Sequence, residues 1–131
     1  MRLAIEIAVA VRAAIPDSMP LFARLSGDDW MGDSGWTVAQ AAELGKRLAA
    51  VGVDLLDISS GGLHSSQKIV AGWGYQAPFS KTVKTAVAGK ALVSAVGSIT
   101  SAKQAQKLLD EDFADMVMVG RGFQKNPGLV W

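Results

Sequence analysis

The sequence predicts an α/β fold with a parallel sheet, and three observations carry that expectation. Short apolar runs of strand length begin near residues 21, 54, 91 and 116, a spacing of about 30. Stretches of helical periodicity alternate with them, and that alternation implies right-handed parallel crossovers. Two of the runs, residues 91–96 and 116–119, pass directly into glycine, at Gly97 and Gly120. A strand buried on both faces reads this way when it ends where backbone must approach a ligand closely. An eight-unit barrel of about 250 residues allots roughly 31 residues to each unit. The 131 residues therefore have the length and pattern of half a barrel, with an open doubly wound sheet as the competing architecture.

Each element has a local justification. Leu3, Ile7, Ala10, Val11 and Ala14 recur at helical spacing, so a helix is expected over residues 3–14, ended by Pro16-Asp17. The first strand is expected over residues 21–26, with Arg24 in its interior, followed by a loop carrying Asp28, Asp29, Trp30, Gly32, Gly35 and Trp36. Thr37 with Gln40 three residues on makes a capping box. It opens a helix striped by Val38, Ala41, Leu44, Leu48 and Val51 and closed by Gly52. Residues 54–59 form the second strand and end in Ser59-Ser60-Gly61-Gly62. A long glycine-containing loop through Trp73 and Tyr75 reaches Pro78, which suits a helix N-terminus. Phe79, Val83 and Val87 share one face of that helix, and Gly89 closes it. Residues 91–96 are the third strand, Thr100 caps a helix containing Ala102, Ala105, Leu108 and Leu109, and residues 116–119 are the fourth strand. Asn126-Pro127 reads as the cap and first residue of one more helix, left after a single turn. No repeat at the level of residues is visible.

Composition narrows the function classes. Half of the residues are hydrophobic, 19% are charged and the formal net charge is +1, the balance of a globular chain with much buried surface. There is no basic excess to suggest nucleic acid and no polybasic run for an anionic membrane. No apolar stretch reaches the roughly 18 residues that span a bilayer. Glu6 interrupts the apolar start and no small-residue cleavage site follows, so no signal peptide is expected. The absence of cysteine fits a cytoplasmic location, and with a single histidine no transition-metal site is expected.

Arg24 is the first residue of chemical interest. An arginine inside a buried-type strand is costly unless it is paired or reaches solvent. Either it pairs with Asp57 on the next strand, or its five donors face an electron-rich ligand atom such as a ring carbonyl or an anionic ring nitrogen. Gly97-Ser98 and Gly120-Arg121-Gly122 are the second. Loops after the last two strands of barrels frequently bind phosphate through backbone N–H groups, and Arg121 would add charge-assisted hydrogen bonds. The glycine spacing does not match a dinucleotide fingerprint. Ser59, Ser60 and Gly61 end the second strand, where barrel active sites are built. Without a histidine base nearby they are read as donors lining a site, or as turn residues. His64 reads as an exposed loop histidine, and Asp28, Asp29 and Asp33 as turn residues before cation ligands. Trp30, Trp36, Trp73 and Tyr75 stand in loops that could wall an aromatic ligand, with ordinary packing expected for at least two of them.

Together, several segments resemble one known family. They are Leu21-Phe22-Ala23-Arg24-Leu25-Ser26 with Asp29-Trp30; Gly52-Val53-Asp54-Leu55-Leu56-Asp57-Ile58-Ser59-Ser60-Gly61; Gly74-Tyr75-Gln76-Ala77-Pro78-Phe79; Ala95-Val96-Gly97-Ser98-Ile99-Thr100; and Val119-Gly120-Arg121-Gly122 with Asn126-Pro127. In order and content they resemble the old yellow enzyme family, most closely its bacterial, thermophilic-like branch of FMN-dependent ene-reductases. The resemblance implies a (β/α)8 TIM barrel carrying FMN, reduced by NAD(P)H, whose flavin N5 passes hydride to an activated alkene such as an enone. Residues 1–131 would be a single partial domain, the C-terminal half of that barrel. By position, Arg24 would contact the pyrimidine edge of the flavin, and Gly97, Ser98, Gly120 and Arg121 would hold the FMN phosphate. Ser60 and Gly61 would line the site. The family's histidine pair or His/Asn pair, its tyrosine proton donor, its flavin-contacting glutamine and its first-strand tuning residue would lie upstream. No catalytic residue is therefore expected within this chain. Two further readings stand beside this one: a catalytically silent half-barrel that self-associates or joins a missing N-terminal half, and a phosphate-binding barrel of biosynthetic type.

Overall fold

The computed structural model describes all residues, Met1–Trp131. Five α-helices and four strands alternate as α1 (Arg2–Ala14), β1 (Phe22–Ser26), α2 (Val38–Ala50), β2 (Leu55–Ser59), α3 (Ala77–Val87), β3 (Leu92–Val96), α4 (Ala102–Asp110), β4 (Met116–Met118) and α5 (Arg121–Lys125). A 3-10 turn over Gly32–Ser34 interrupts the loop after β1. The strands form one sheet in the order β1-β2-β3-β4, and every pair is parallel.

That order decides between the two architectures. A doubly wound sheet reverses its strand order at a switch point and carries helices on both faces. Here consecutive strands are neighbours throughout, so right-handed crossovers place α2, α3 and α4 on the same side. Packing agrees. Leu56, Ile58 and Val93 join the buried core with Ala41, Leu44 and Leu48 of α2 and with Val83 and Val87 of α3, while Ala23 and Leu25 pack on its margin. A smaller cluster of Ala95, Leu108 and Ala114, with Val117 at its edge, seats α4. The alternate residues of each strand face the other way, in register layers of Phe22, Leu55 and Leu92, then Arg24, Asp57, Ser94 and Met116. Phe22 is 55% exposed, Leu92 51% and Met116 40%. The chain is an arc of a (β/α)8 barrel, helices outside and the would-be barrel interior open.

Two aspartates fix the strand register at the N-terminal edge. Asp54, one residue before β2, accepts the Leu21 N–H at 2.7 Å; Asp115, one residue before β4, accepts the Val93 N–H at 2.8 Å. Because the Leu21 N–H is spent on a side chain, β1 begins at Phe22 rather than at Leu21. The capping box of α2 forms as its sequence implies, with the Thr37 N–H donating to Gln40 Oε1 at 3.0 Å. Strands β2 and β3 likewise begin one residue late and β4 ends at Met118, and two helix caps differ from expectation. Ser101, not Thr100, caps α4: its Oγ accepts the Gln104 N–H at 3.3 Å, while Gln104 Oε1 turns back to the Thr100 N–H at 2.8 Å. α3 closes at its expected glycine, with Ala88 (φ +51°) and Gly89 (φ +76°) both left-handed. The last helix starts at Arg121, separated from β4 by Val119 and Gly120, and Asn126-Pro127 follows it; the Asn126 side chain accepts the Gly128 N–H at 3.1 Å in a turn instead of capping a helix.

An ion-pair cluster ties α3 to the segment entering β4. Lys84 Nζ lies 2.5 Å from Asp112 Oδ1 and 3.0 Å from Asp115 Oδ1. Hydrogen bonds to Asp112 and then Asp115 hold the Lys84 ammonium above the ordinary lysine range, and Lys84 holds the Asp112 carboxyl below the usual carboxylate range. A raised lysine contributes stability that is complete below its unfolded value and lost as pH rises through the folded one. A lowered aspartate contributes stability present above its unfolded value and lost as pH falls through the folded one. Lys84→Met is expected to lower Tm modestly between those limits, with the difference from the parent chain shrinking in acid. Thermal melts across pH check it, and a pH-independent difference would contradict it.

Candidate functional site

Parallel strands bring their C-terminal ends to one edge, and a cleft of about 720 Å³ opens there. The segments after β3 and β4, Gly97-Ser98 and Gly120-Arg121-Gly122, meet in it as their sequence grammar implies. Arg24 reaches it from β1, and Tyr75 and Gln76 from the loop ahead of α3. Its lining carries three cationic side chains, Arg24, Arg121 and Lys125, and no carboxylate. The N–H groups of Gly97, Ser98 and Gly120 donate to no protein acceptor, and Arg121 makes no ion pair. Unspent backbone donors beside free cations are the features of an anion site.

Gly97 is glycine for two reasons. Its φ is +129°, and a Cβ there would stand 2.8 Å from Gln76 Nε2 and 3.0 Å from Tyr75 Cε1. Its carbonyl accepts the Gly74 N–H at 3.1 Å. Gln76 is the strut behind this turn. The amide is buried, with Nε2 donating to the Val96 carbonyl at 2.8 Å and Oε1 accepting from Ser60 Oγ at 2.6 Å. Ser60 in turn accepts the Trp30 indole N–H at 3.0 Å. One hydrogen-bonded chain thus links the loops after β1 and β2 to the end of β3. Sequence reasoning missed Gln76 and Lys125. The one available signal for Gln76 was its place at the N-cap of α3, where glutamine is not among the residues that cap well.

The remaining expected site residues fall as follows. Ser59 borders the cleft, whereas Ser60 and Gly61 do not. The Ser60 hydroxyl is turned into the Trp30–Gln76 chain, and a Cβ on Gly61 would lie 2.9 Å from the Trp30 ring. Trp30 packs against Tyr75, centroids 6.3 Å apart, and edge-on against Phe79 at 5.4 Å, so the indole backs the wall that Tyr75 presents. Trp36 donates its indole N–H to the Ser26 carbonyl at 2.7 Å, and Trp73 lies under Lys107. His64 sits in an exposed loop, its Nδ1 accepting the Ser66 N–H at 3.1 Å. Asp28 and Asp29 are turn residues, accepting the N–H groups of Trp30 and Trp36 at 2.7 and 2.8 Å. No cluster of His, Cys, Asp and Glu has metal-binding geometry.

Arg24 meets the ion-pair expectation, its Nε pairing with Asp57 Oδ2, and its side chain also borders the cleft. Asp57 Oδ1 accepts from Ser94 Oγ at 2.7 Å, completing a row across three strands.

A family profile for NADH:flavin oxidoreductases and NADH oxidases matches residues 1–131. The chain belongs to the NADH:flavin oxidoreductase / NADH oxidase family. This is the old yellow enzyme family, whose members use FMN with NAD(P)H as reductant. Among the relatives of this chain is the NADH:flavin oxidoreductase FG08077 of Gibberella zeae, 41% identical over 141 aligned positions, which cover 99% of this chain and 34% of the relative. NADPH dehydrogenases of Geobacillus sp. and Geobacillus thermodenitrificans are each 39% identical over 108 positions, covering 82% of this chain and 31% of theirs. The chain spans about a third of the length of the curated relatives it matches.

Proposed function

We propose that this chain is the part of an FMN-dependent NAD(P)H oxidoreductase that grips the FMN phosphate and contacts the flavin ring, and that the whole protein reduces activated alkenes. The observation that carries the reading is the meeting of Gly97-Ser98 and Gly120-Arg121-Gly122 in one carboxylate-free cleft with Arg24 at the strand end. The residues present fit the group. The unspent N–H groups of Gly97, Ser98 and Gly120, with Arg121 and Lys125, form a donor set for a phosphate dianion. Arg24 offers a cation where negative charge builds on a reduced ring. When bound, FMN supplies the hydride chemistry between NAD(P)H and the alkene. The relatives named NADPH dehydrogenase support a nicotinamide reductant.

The test separates tail from ring. Arg121→Ala is expected to weaken FMN binding about tenfold, as loss of one charge-assisted pair would, and to leave riboflavin binding unchanged. Titration followed by flavin fluorescence measures both. Equal FMN affinity in the two chains would remove Arg121 from the phosphate grip.

A second reading rests on a different observation. The open sheet face exposes Phe22, Leu92 and Met116, and β1 and β4 each leave one edge unpaired. Isolated, such a chain is expected to self-associate and to be catalytically silent. Sedimentation at micromolar concentration should find dimers or larger species, and a monodisperse monomer would count against it.

A further inference from the structure

We propose that Asp57 is a positioning residue of the cleft: it holds Arg24 by Nε alone and so reserves both terminal amino groups of the guanidinium for the carbonyl-bearing edge of a flat ring ligand. The inference rests on the preceding reading of the cleft as a flavin site and names what orients Arg24 there. Arg24, Asp57 and Ser94 stand at one register level on β1, β2 and β3. Asp57 is 5% exposed, so protein groups rather than water must hold its carboxylate. One oxygen accepts from the fully buried Ser94 hydroxyl at 2.7 Å, and the other accepts from Arg24 Nε. Nη1 and Nη2 donate to no protein acceptor, and the arginine side chain is 63% exposed toward the cleft that it lines.

The guanidinium is planar, so fixing the direction of its Nε–H fixes the plane in which the terminal amino groups lie. For stability alone the pair adds little, because its arginine end is 63% exposed and ion pairs open to solvent are weak. A lysine would not serve: its ammonium would be drawn to Asp57, and its remaining N–H donors radiate from one point with no fixed plane to direct them at the edge of a ligand.

Asp57→Asn makes the cleft more positive by one charge, so charge alone would tighten binding of anionic FMN. Positioning requires the reverse: about tenfold weaker binding of both FMN and riboflavin, the scale on which loss of a supporting partner weakens a ligand site. Arg24→Lys keeps the ion pair and should keep Tm close to the parent value, yet weaken both flavins alike. A ligand-free arm uses nitrogen-15 NMR of the arginine side chains. The Arg24 Nε–H should exchange slowly in the parent chain and at the rate of an exposed arginine in Asp57→Asn. Unchanged or tighter flavin binding in Asp57→Asn, or unchanged Nε–H exchange, overturns the proposal. If the parent chain binds neither flavin, the flavin reading of the cleft falls and takes the named ligand with it. In that case the exchange arm still decides whether Asp57 holds Arg24.

Discussion

Gly97→Val is expected to cut FMN affinity roughly a hundredfold, the cost attached to displacing a binding group by about 1 Å. Two effects combine at this position. At φ +129° a β-branched residue is strained, at a cost of about 1–3 kcal/mol. The added Cβ would also lie 2.8 Å from Gln76 Nε2, which cannot retreat freely because it donates to the Val96 carbonyl and its Oε1 is held by Ser60. Relief must therefore come from the Gly97-Ser98 turn itself, moving the N–H groups read as phosphate donors. Core packing by α2 and α3 lies elsewhere, so the loss of affinity should come with a smaller loss of stability. Flavin titration and a thermal melt on the same sample separate the two. Retained affinity would mean that the turn is not part of the grip.

Leu56→Ala should have the largest effect on stability, about 3 kcal/mol within the 2–5 kcal/mol range of buried leucine truncations. Leu56 has no exposed surface and sits in the main core cluster between the sheet and the α2–α3 pair. A Cβ added to Gly45 of α2 would meet Leu56 Cδ1 at 3.1 Å, which shows how close helix and strand already are. With so little free space nearby, the vacated volume stays a cavity unless backbone moves. For a chain of this size the loss corresponds to a fall in Tm of about 10 °C. Leu3→Ala, at a residue 71% exposed on α1, is the internal control and should change little. Equal melting of the two variants would contradict the assignment of the core.

The fold was legible because its governing signals are local. Buried strands are short apolar runs, α2 announces itself by Thr37 and Gln40, and the glycines after β3 and β4 mark where those strands stop. Barrel arc and doubly wound sheet diverge only in the spatial order of strands. Residue pattern does not encode that order; pairing of β1 with β2, β2 with β3 and β3 with β4 does. Boundaries moved where a side chain competed with backbone, as when Asp54 took the Leu21 N–H or Gln104 turned back to Thr100. In the site, Arg24, Gly97, Ser98, Gly120 and Arg121 were legible because a charge inside a strand and a glycine at its end are anomalies on their own. Gln76 and the inward turn of Ser60 were not, because their importance comes from partners far away in sequence, Val96 and Trp30.

If the ends of β3 and β4 form one phosphate seat, amide NMR of the chain titrated with FMN and with riboflavin will show it. FMN is expected to move the amide signals of Gly97, Ser98, Gly120 and Arg121 together, on one saturation curve, and riboflavin to leave those four nearly in place. Shifts confined to one of the two turns, or identical responses to the two flavins, would contradict it.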